Sequence, residues 1–394
     1  MDIDREGPPH HGPPHHPGHP HGLPLPEDFD SSTCVSGNDW DFPEEPPRNP
    51  LGNWPSNLAT THLEVPVDNN RLFLFSHGNL AQGDVRILPA DQESDKVSVD
   101  VEAYYHTREA LDRVNVCGLQ SADKGNGFGV YTPHSHHHNR HDIVHFRLTV
   151  YLPLSSGTRF IPNFFTTLPQ FVQTLDGISP AFEFGNLTLV SANAPIHALG
   201  DVVADQIILH TSNSPISGSF NTTSQLSLTS SNGPIDVTAA SFNDDPSQAH
   251  TMILHTSNAR IAATVFLLNT VGATSAFNAS TTTSNSPLIV EYASLPSEGA
   301  VLSAVAHTSN SPARLTLPPA FEGTFFVRTS LLGAAVDRRD VEDPTGRGRQ
   351  RKVEMNVMRR GVAYGKTSWE PSEDESKAGF ASVTTSNGPA QLVL

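Results

Sequence analysis

Residues 207–218 read "IILHTSNSPISG", and the pattern apolar–T–S–N–x–P–apolar returns along the chain. It recurs as "LTSSNGPIDV" (228–237), "LHTSNARIAA" (254–263), "TTTSNSPLIV" (281–290), "AHTSNSPARL" (306–315) and "TTSNGPAQLVL" (384–394). A catalytic site has no use for several copies of itself, whereas a stacked architecture must solve the same folding problem in every layer.

Aligned on the asparagine, the copies fall at Asn193, Asn213, Asn232, Asn258, Asn285, Asn310 and Asn387, with a degenerate copy "VRTSLLGAAV" in which Leu331 takes the asparagine's place. From Asn193 to Asn310 the spacings are 20, 19, 26, 27 and 25 residues, the length of one solenoid coil. Two places after the asparagine stands Pro195, Pro215, Pro234, Pro287, Pro312 or Pro389, whose fixed φ and missing N–H suit a bend between strands. The next residue (Ile196, Ile216, Ile235, Ile261, Leu288, Ala313, Ala390) reads as the first inward residue of a new strand. Four places before the asparagine Leu or Val is usual: Leu189, Leu209, Leu228, Leu254, Val327, Val383. The asparagine suits a corner, and in parallel coils about 4.8 Å apart identical asparagines can hydrogen-bond as a ladder. Ordinary hairpin turns in an antiparallel sandwich would also accept "SNGP", but hairpin turns need not resemble one another and stacked corners should.

From about residue 58 the texture is that of strands. "KVSVDVEAYY" places Val97, Val99, Val101, Ala103 and Tyr105 on one face, and "DIVHFRLTVYL" does the same with Val144, Phe146, Leu148, Val150 and Leu152. The stretch "IPNFFTTLPQFVQTL" (161–175) is the one short helix expected, limited by Pro169. The fold class is therefore all-β: a repeat-built, parallel β-solenoid-like body behind a disordered N-terminal tail. The tail spans 1–57, and an elongated β-repeat domain spans 58–394. Within it lie irregular early coils (58–180), the TSN-x-P repeats (181–336), a charged insertion (337–378) and a terminal coil (379–394).

The first 66 residues carry 14 of the 32 prolines and, between His10 and His21, six of the 20 histidines, so this segment cannot offset its chain entropy by apolar burial. Net charge is −17, from 24 basic and 41 acidic residues, which argues against a nucleic-acid partner. The basic cluster "GRGRQRK" (346–352) reads as a solvated loop or strand edge, with a nuclear-localisation or anion-binding patch as the alternative. Cys34 and Cys117 are the only cysteines and form no disulfide framework, so nothing in this reading demands an oxidising compartment. The start "MDIDREGPPHH" has no signal-peptide pattern, and no stretch approaches a transmembrane span, so the expected location is cytoplasmic by default. Sequons at Asn186, Asn221 and Asn278 are ordinary coincidences in a Ser/Thr/Asn-rich chain.

The recurring "TSN-x-P/D-I" corner resembles the adhesin β-solenoid domain of bacteria and, more closely, uncharacterised β-repeat proteins of mushroom-forming fungi. "VNVCGLQSA", "FRLTVYLP", "FEGTFFVRTS" and "DPTGRGRQRKV" carry the fungal likeness, in the expected order. The resemblance covers roughly residues 60–394. It implies the solenoid fold and an adhesion or interaction role, and supplies no catalytic residue to carry over. Many relatives carry an upstream membrane anchor, which this sequence lacks.

Histidine is the strongest candidate for chemistry. "HSHHHNRHDIVH" offers His134, His136, His137, His138, His141 and His145 with Asp142, all of types that bind zinc, nickel or copper, yet polyhistidine in a loop binds such metals without preformed geometry. His210, His255 and His307 each stand three places before a corner asparagine, with Thr229 and Thr282 in the intervening coils. The stacking spacing leaves these histidines roughly 9–10 Å apart, too far for one metal. A column of Thr211, Thr256, Thr283, Thr308, Thr329 and Thr385 either faces a ligand or, as preferred here, points inward to satisfy corner backbone. Asp201, Asp205, Asp236, Asp244 and Asp245 fall at unrelated repeat positions, and "GNGFG" (125–129) lacks the context of a phosphate loop. No catalytic, cofactor-binding or metal residue is assigned, and no cofactor is expected. The function expected is a non-catalytic, adhesin-like scaffold that binds a protein or glycan surface, with a carbohydrate-active β-helix enzyme (polysaccharide lyase or hydrolase) as the alternative.

Overall fold

The computed structural model describes residues 29–44, 55, 57–67, 70–121, 125–135, 139–270, 272–296, 299–359, 361–370 and 379–394. Among them, 26 strands accompany a single four-residue helix, Arg108–Leu111, and two short 3-10 turns. Each repeat supplies one strand ending at T-S-N and a second beginning after the proline, and the two kinds stack into two parallel ladders. In the first, Leu189, Leu209, Leu228, Leu254, Thr281, Ala306, Val383 and Val327 are successive register partners. In the second, Ile196, Ile216, Ile235, Ile261, Leu288, Ala313, Ala390 and Ala334 are. Both columns point into the core, where Leu209, Ile216, Leu228 and Ile235 are fully buried; each such side chain contributes about 2 kcal/mol.

The uneven repeat spacing has a simple origin. The coils of 19–20 residues run through the edge opposite the asparagine as single long strands, Ile196–Thr211 and Ile216–Ser230, bent only by register shifts. The longer coils interrupt the strand there, between Phe242 and His250, between Leu268 and Ser275, and between Ser294 and Ala300.

The corners stack as expected. Asn213, Asn232, Asn258, Asn285 and Asn310 each donate from Nδ2 to Oδ1 of the preceding asparagine at 2.6–2.7 Å, beginning at Asn193, and Asn387 donates to Asn310 at 2.6 Å. Behind each side chain, two backbone N–H groups share one carbonyl of the layer below: Ser212 and Asn213 both donate to Ala192 O. At the proline position only the carbonyl is used: the Pro215 carbonyl accepts from the Ile196 N–H and the Pro234 carbonyl from the Ile216 N–H, each in the layer before, so the missing N–H costs nothing. Gly233 and Gly388 stand where a Cβ would fall 2.0 Å or less from the carbonyl oxygen of Ser214 or Ser311 in the layer below. An antiparallel sandwich is ruled out by the direct stacking of Asn258 on Asn232.

At both ends chain order and stacking order part: at the far end a layer is skipped and filled later, and at the first end an early strand is enclosed by two later ones. The strand Gly379–Thr385 lies between Ala300–Thr308 and Gly323–Arg328, and Ala390–Val393 between Ala313–Thr316 and Ala334–Asp337. The segment expected as a terminal coil is thus an internal layer, and the Leu331 copy lies beyond it and ends the ladder. At the other end Leu72–His77 lies between Asn126–Tyr131 and Arg159–Thr167. Antiparallel strands then close the stack: Lys96–Tyr105 and Asn57–Pro66 on the second ladder, Asn115–Ser121 and Phe29–Ser36 on the first, and Val362–Glu370 with Gln350–Arg359 at the far end. Such caps keep parallel edges from templating aggregation.

Three expectations fail. The helix expected at 161–175 is two strands, Arg159–Thr167 and Phe171–Leu175, with Gln170 at the corner position; Phe164, Leu168 and Phe171 mimic helical spacing but are alternate inward residues on either side of a bend. The tail is not wholly unstructured, because Phe29–Ser36 pairs with Asn115–Ser121 and Trp40 is buried in the core; Trp54 and His10–His21 lie outside the described residues. That pairing sets Cys34 opposite Cys117, and the two form a disulfide across 83 residues. Closing so long a loop contributes about 4–5 kcal/mol in the chain-entropy account. Distance along the sequence hid the partnership.

The charged insertion folds as the far cap. Asp343 accepts from the Thr345, Arg347 and Arg349 backbone N–H groups and pairs with the Arg349 guanidinium at 3.1 Å. Burial alone would raise its pKa, but the hydrogen bonds from Arg349 and Thr345 outweigh this and hold it far below the carboxylate range. Arg349 also lies 5.8 Å from the Trp369 ring centroid, and Lys352 pairs with Glu354 and Glu370. The basic cluster is therefore largely spent on the fold.

Two measurements check this architecture. Asn258→Ala removes two ladder bonds and should lower unfolding stability by about 1–2 kcal/mol in urea titration; an unchanged midpoint would mean the ladder is ornamental. His250 is buried beside Thr222 Oγ1 at 2.8 Å, and burial depresses its pKa from 6.5 to about 4. The unfolded chain therefore takes up the proton first, so stability present above pH 6.5 drains away as pH falls towards 4, by about 3 kcal/mol from this group. The melting temperature of His250→Leu should fall less steeply over that interval than that of the unsubstituted chain; parallel profiles would refute the assignment.

Candidate binding face

Most side chains singled out in the sequence are absorbed by the fold. Thr211, Thr256, Thr283, Thr308, Thr329 and Thr385 are buried, and their hydroxyls donate to corner carbonyls, as in Thr283 to Ala259 O at 3.1 Å and Thr329 to Gly388 O at 2.8 Å. Asp201 accepts from Ser219, Asp205 from Thr223, Asp244 from Thr270 and Asp245 from Ser247, while Asp236 pairs with Arg260. "GNGFG" runs into the strand Asn126–Tyr131, where Gly127 and Gly129 leave room for Phe73, Leu119 and Tyr131 to close over it.

The histidine-rich loop disperses its ligands. His134 packs edge-on against His77 and His141 against His106, with ring centroids 4.8 and 4.7 Å apart. His145 bonds to Gln82, and its pKa is lowered by burial, then by His106 and Arg140. Asp142 pairs with Arg113 at 2.5 Å. His136, His137 and His138 lie outside the described residues. Among the described residues no three His, Cys, Asp or Glu side chains are placed to hold a metal ion.

Sequence reasoning singled out the column of His210, His255 and His307 with Thr229 and Thr282, but missed the face to which it belongs, the outer side of the first ladder. Because strand residues alternate in and out, each coil presents three outward positions, and stacking turns them into columns. Nearest the corner run His210, Thr229, His255, Thr282, His307 and Thr384; next to them Ile208, Ser227, Ile253, Ser280, Val305 and Ser382; then Gln206, Gln225, Thr251, Asn278, Ser303 and Phe380. The third column continues upstream through Asn186 and Asn163, which are bonded to each other at 2.9 Å. Two sequon asparagines, Asn186 and Asn278, thus belong to this face. Six strands make it about 24 Å across from first to last.

The face is uncharged in a chain of net charge −17: from Gln206 to Thr384 the three columns hold no Asp, Glu, Lys or Arg. Among the described residues, the polar side chains of the three columns from Gln206 to Thr384 make one hydrogen bond within the chain, His307 Nδ1 with Thr384 Oγ1 at 2.7 Å. Ser382 is buried at the far end, and the remaining polar side chains are partly or fully open to solvent. At the upstream end a shallow groove of about 470 Å³ is lined by Asn70, Arg71, Asn163, Phe165, Asn186 and Thr188, with the Arg71 guanidinium 5.4 Å from the Phe165 ring centroid.

Charge gathers instead on the outer face of the second ladder's first end. Arg147 lies between Asp84 and Glu102 on neighbouring strands, at 3.5 and 3.3 Å. Burial raises the Asp84 pKa against the opposing pull of Arg147, and burial together with Glu102 pushes Tyr104 up to about 12. The two carboxylates are two strand spacings apart, roughly 10 Å, with the guanidinium between them.

No protein-family model matches the chain, and no curated protein matches it. Among solved structures it is similar to a putative cell adhesion protein from Clostridium sporogenes, at 6% identity over 85% of this chain and 99% of that one, with a TM-score of 0.17. It is also similar to a putative adhesin from Parabacteroides distasonis, at 8% identity over 84% and 96% of the two chains, with a TM-score of 0.30. At those scores neither likeness bears on function.

Proposed function

We propose that this protein is a non-catalytic, adhesin-like scaffold that holds a neutral glycan surface through the outer face of its first ladder. One observation carries the reading: an array of carboxamides, hydroxyls and imidazoles without Asp, Glu, Lys or Arg spans six coils, and its side chains make a single hydrogen bond within the chain. A neutral polymer rich in hydroxyls satisfies such groups without burying an unpaired charge. Each coil contributes little, and affinity accumulates because neighbouring contacts sit on one rigid body. The Cys34–Cys117 disulfide favours an oxidising compartment over the cytoplasm expected from the sequence. Among the described residues no helix is long and apolar enough to cross a membrane.

The carboxylates support the non-catalytic reading. The repeat aspartates are tied to local partners, and Asp84 and Glu102 are separated by Arg147. Purified protein should be retained on insoluble neutral polysaccharide and release no reducing sugar from it. Ser227→Asp/Ser280→Asp places two charges in the middle column and should abolish retention with little change in melting temperature. Undiminished retention by that variant would move the binding surface elsewhere. Sugar release that disappears in Asp84→Asn would make the protein an enzyme.

A further inference from the structure

The binding face has a period of two coils, whereas the fold has a period of one. Ile208 with His210, Ile253 with His255 and Val305 with His307 occupy alternate coils; Ser227 with Thr229, Ser280 with Thr282 and Ser382 with Thr384 occupy those between. The corner ladder makes no such distinction. Alternation also holds in space where chain order would break it. The copy that follows Asn310 in sequence carries Phe326 and Arg328 at these positions, but the layer that follows it in space is the Ser382/Thr384 coil.

We infer that this face is matched to chitin, a β-1,4-linked chain of N-acetylglucosamine lying along the stacking axis with one sugar per coil; this rests on the glycan-binding function proposed above. In an extended β-1,4-linked ribbon each sugar is turned over relative to the last, so the repeat is two sugars, close in length to two strand spacings of about 4.8 Å. The acetamide therefore leaves a given edge at every second sugar. Ile208, Ile253 and Val305, each 37% exposed, offer an apolar contact for its methyl group at every second coil. Cellulose has the same ribbon but no apolar substituent to meet them. The absence of carboxylates disfavours a cationic, deacetylated chain, and the surrounding net charge of −17 disfavours polyuronates.

The test is calorimetric titration of the full chain with chitohexaose and with cellohexaose. Chitohexaose should bind at least about tenfold more tightly, and affinity should grow with chain length up to six sugars. Ile253→Ser/His255→Thr makes a third consecutive Ser/Thr coil from side chains already accommodated next door. It should keep the melting temperature and lose about tenfold in chitohexaose affinity. Equal affinity for the two hexaoses, or a swapped coil that binds as the parent does, overturns the inference. Retention on cellulose or another neutral polysaccharide but not on chitin overturns it while leaving the proposed function standing. Retention on none overturns both.

Discussion

Every layer of this protein depends on its corner. There the chain reverses between two sheets, and two successive N–H groups must find partners without a strand beside them; both are taken by one carbonyl of the layer below, as Ser212 and Asn213 are by Ala192. That requirement is met only if the layer below has the same shape and direction. Identical corners therefore impose parallel stacking, and the asparagine side chains add a second, lateral chain of bonds that fixes the register. Once register is fixed, everything else lines up: leucine on leucine and isoleucine on isoleucine inside, and outward side chains in columns. The binding face is thus a by-product of the corner.

A stack of this kind has two ends that could grow. The chain closes them by laying antiparallel strands over each terminal layer and by interleaving strands out of chain order, a later segment between two earlier ones at the far end and an earlier strand between two later ones at the first end. Interleaving ties residues far apart in sequence into one sheet, so the ends cannot fray coil by coil. The first cap is further pinned by the Cys34–Cys117 disulfide, and the far cap by Asp343, Arg349, Glu322 and Trp369. Charged groups are concentrated in these caps and on the second ladder, which leaves the first ladder's outer face neutral.

What could be read from the sequence was local and repeated. The asparagine, proline and aliphatic columns each answer to a requirement within a few residues, and the inward threonines follow from the corner's carbonyls. What could not be read depends on contacts across long distances. The one-residue shift in alternation between Leu168 and Phe171 imitated a helix because the bend between the two strands resets which residues face inward. The Cys34–Cys117 pairing and the burial of Trp40 require the cap strand Phe29–Ser36 to return to Asn115–Ser121. The interleaved coil was invisible because "TTSNGPAQLVL" looks the same whether it is the last layer or an inner one. The two-coil alternation was partly visible, in His210, His255 and His307, but its neighbouring Ile and Ser column became meaningful only once spatial order replaced chain order.

The central claim, that equivalent corners stack in spatial rather than sequence order, is tested most directly by cysteine cross-linking at the corner positions. With Cys34 and Cys117 left in place, Asn310→Cys/Asn387→Cys should form a disulfide under mild oxidation, because adjacent layers place the two Cα atoms about 5 Å apart. Asn310→Cys/Leu331→Cys should not, since the Asn387 layer separates them. Ready cross-linking of the second pair and not the first would put the layers in chain order and contradict the account.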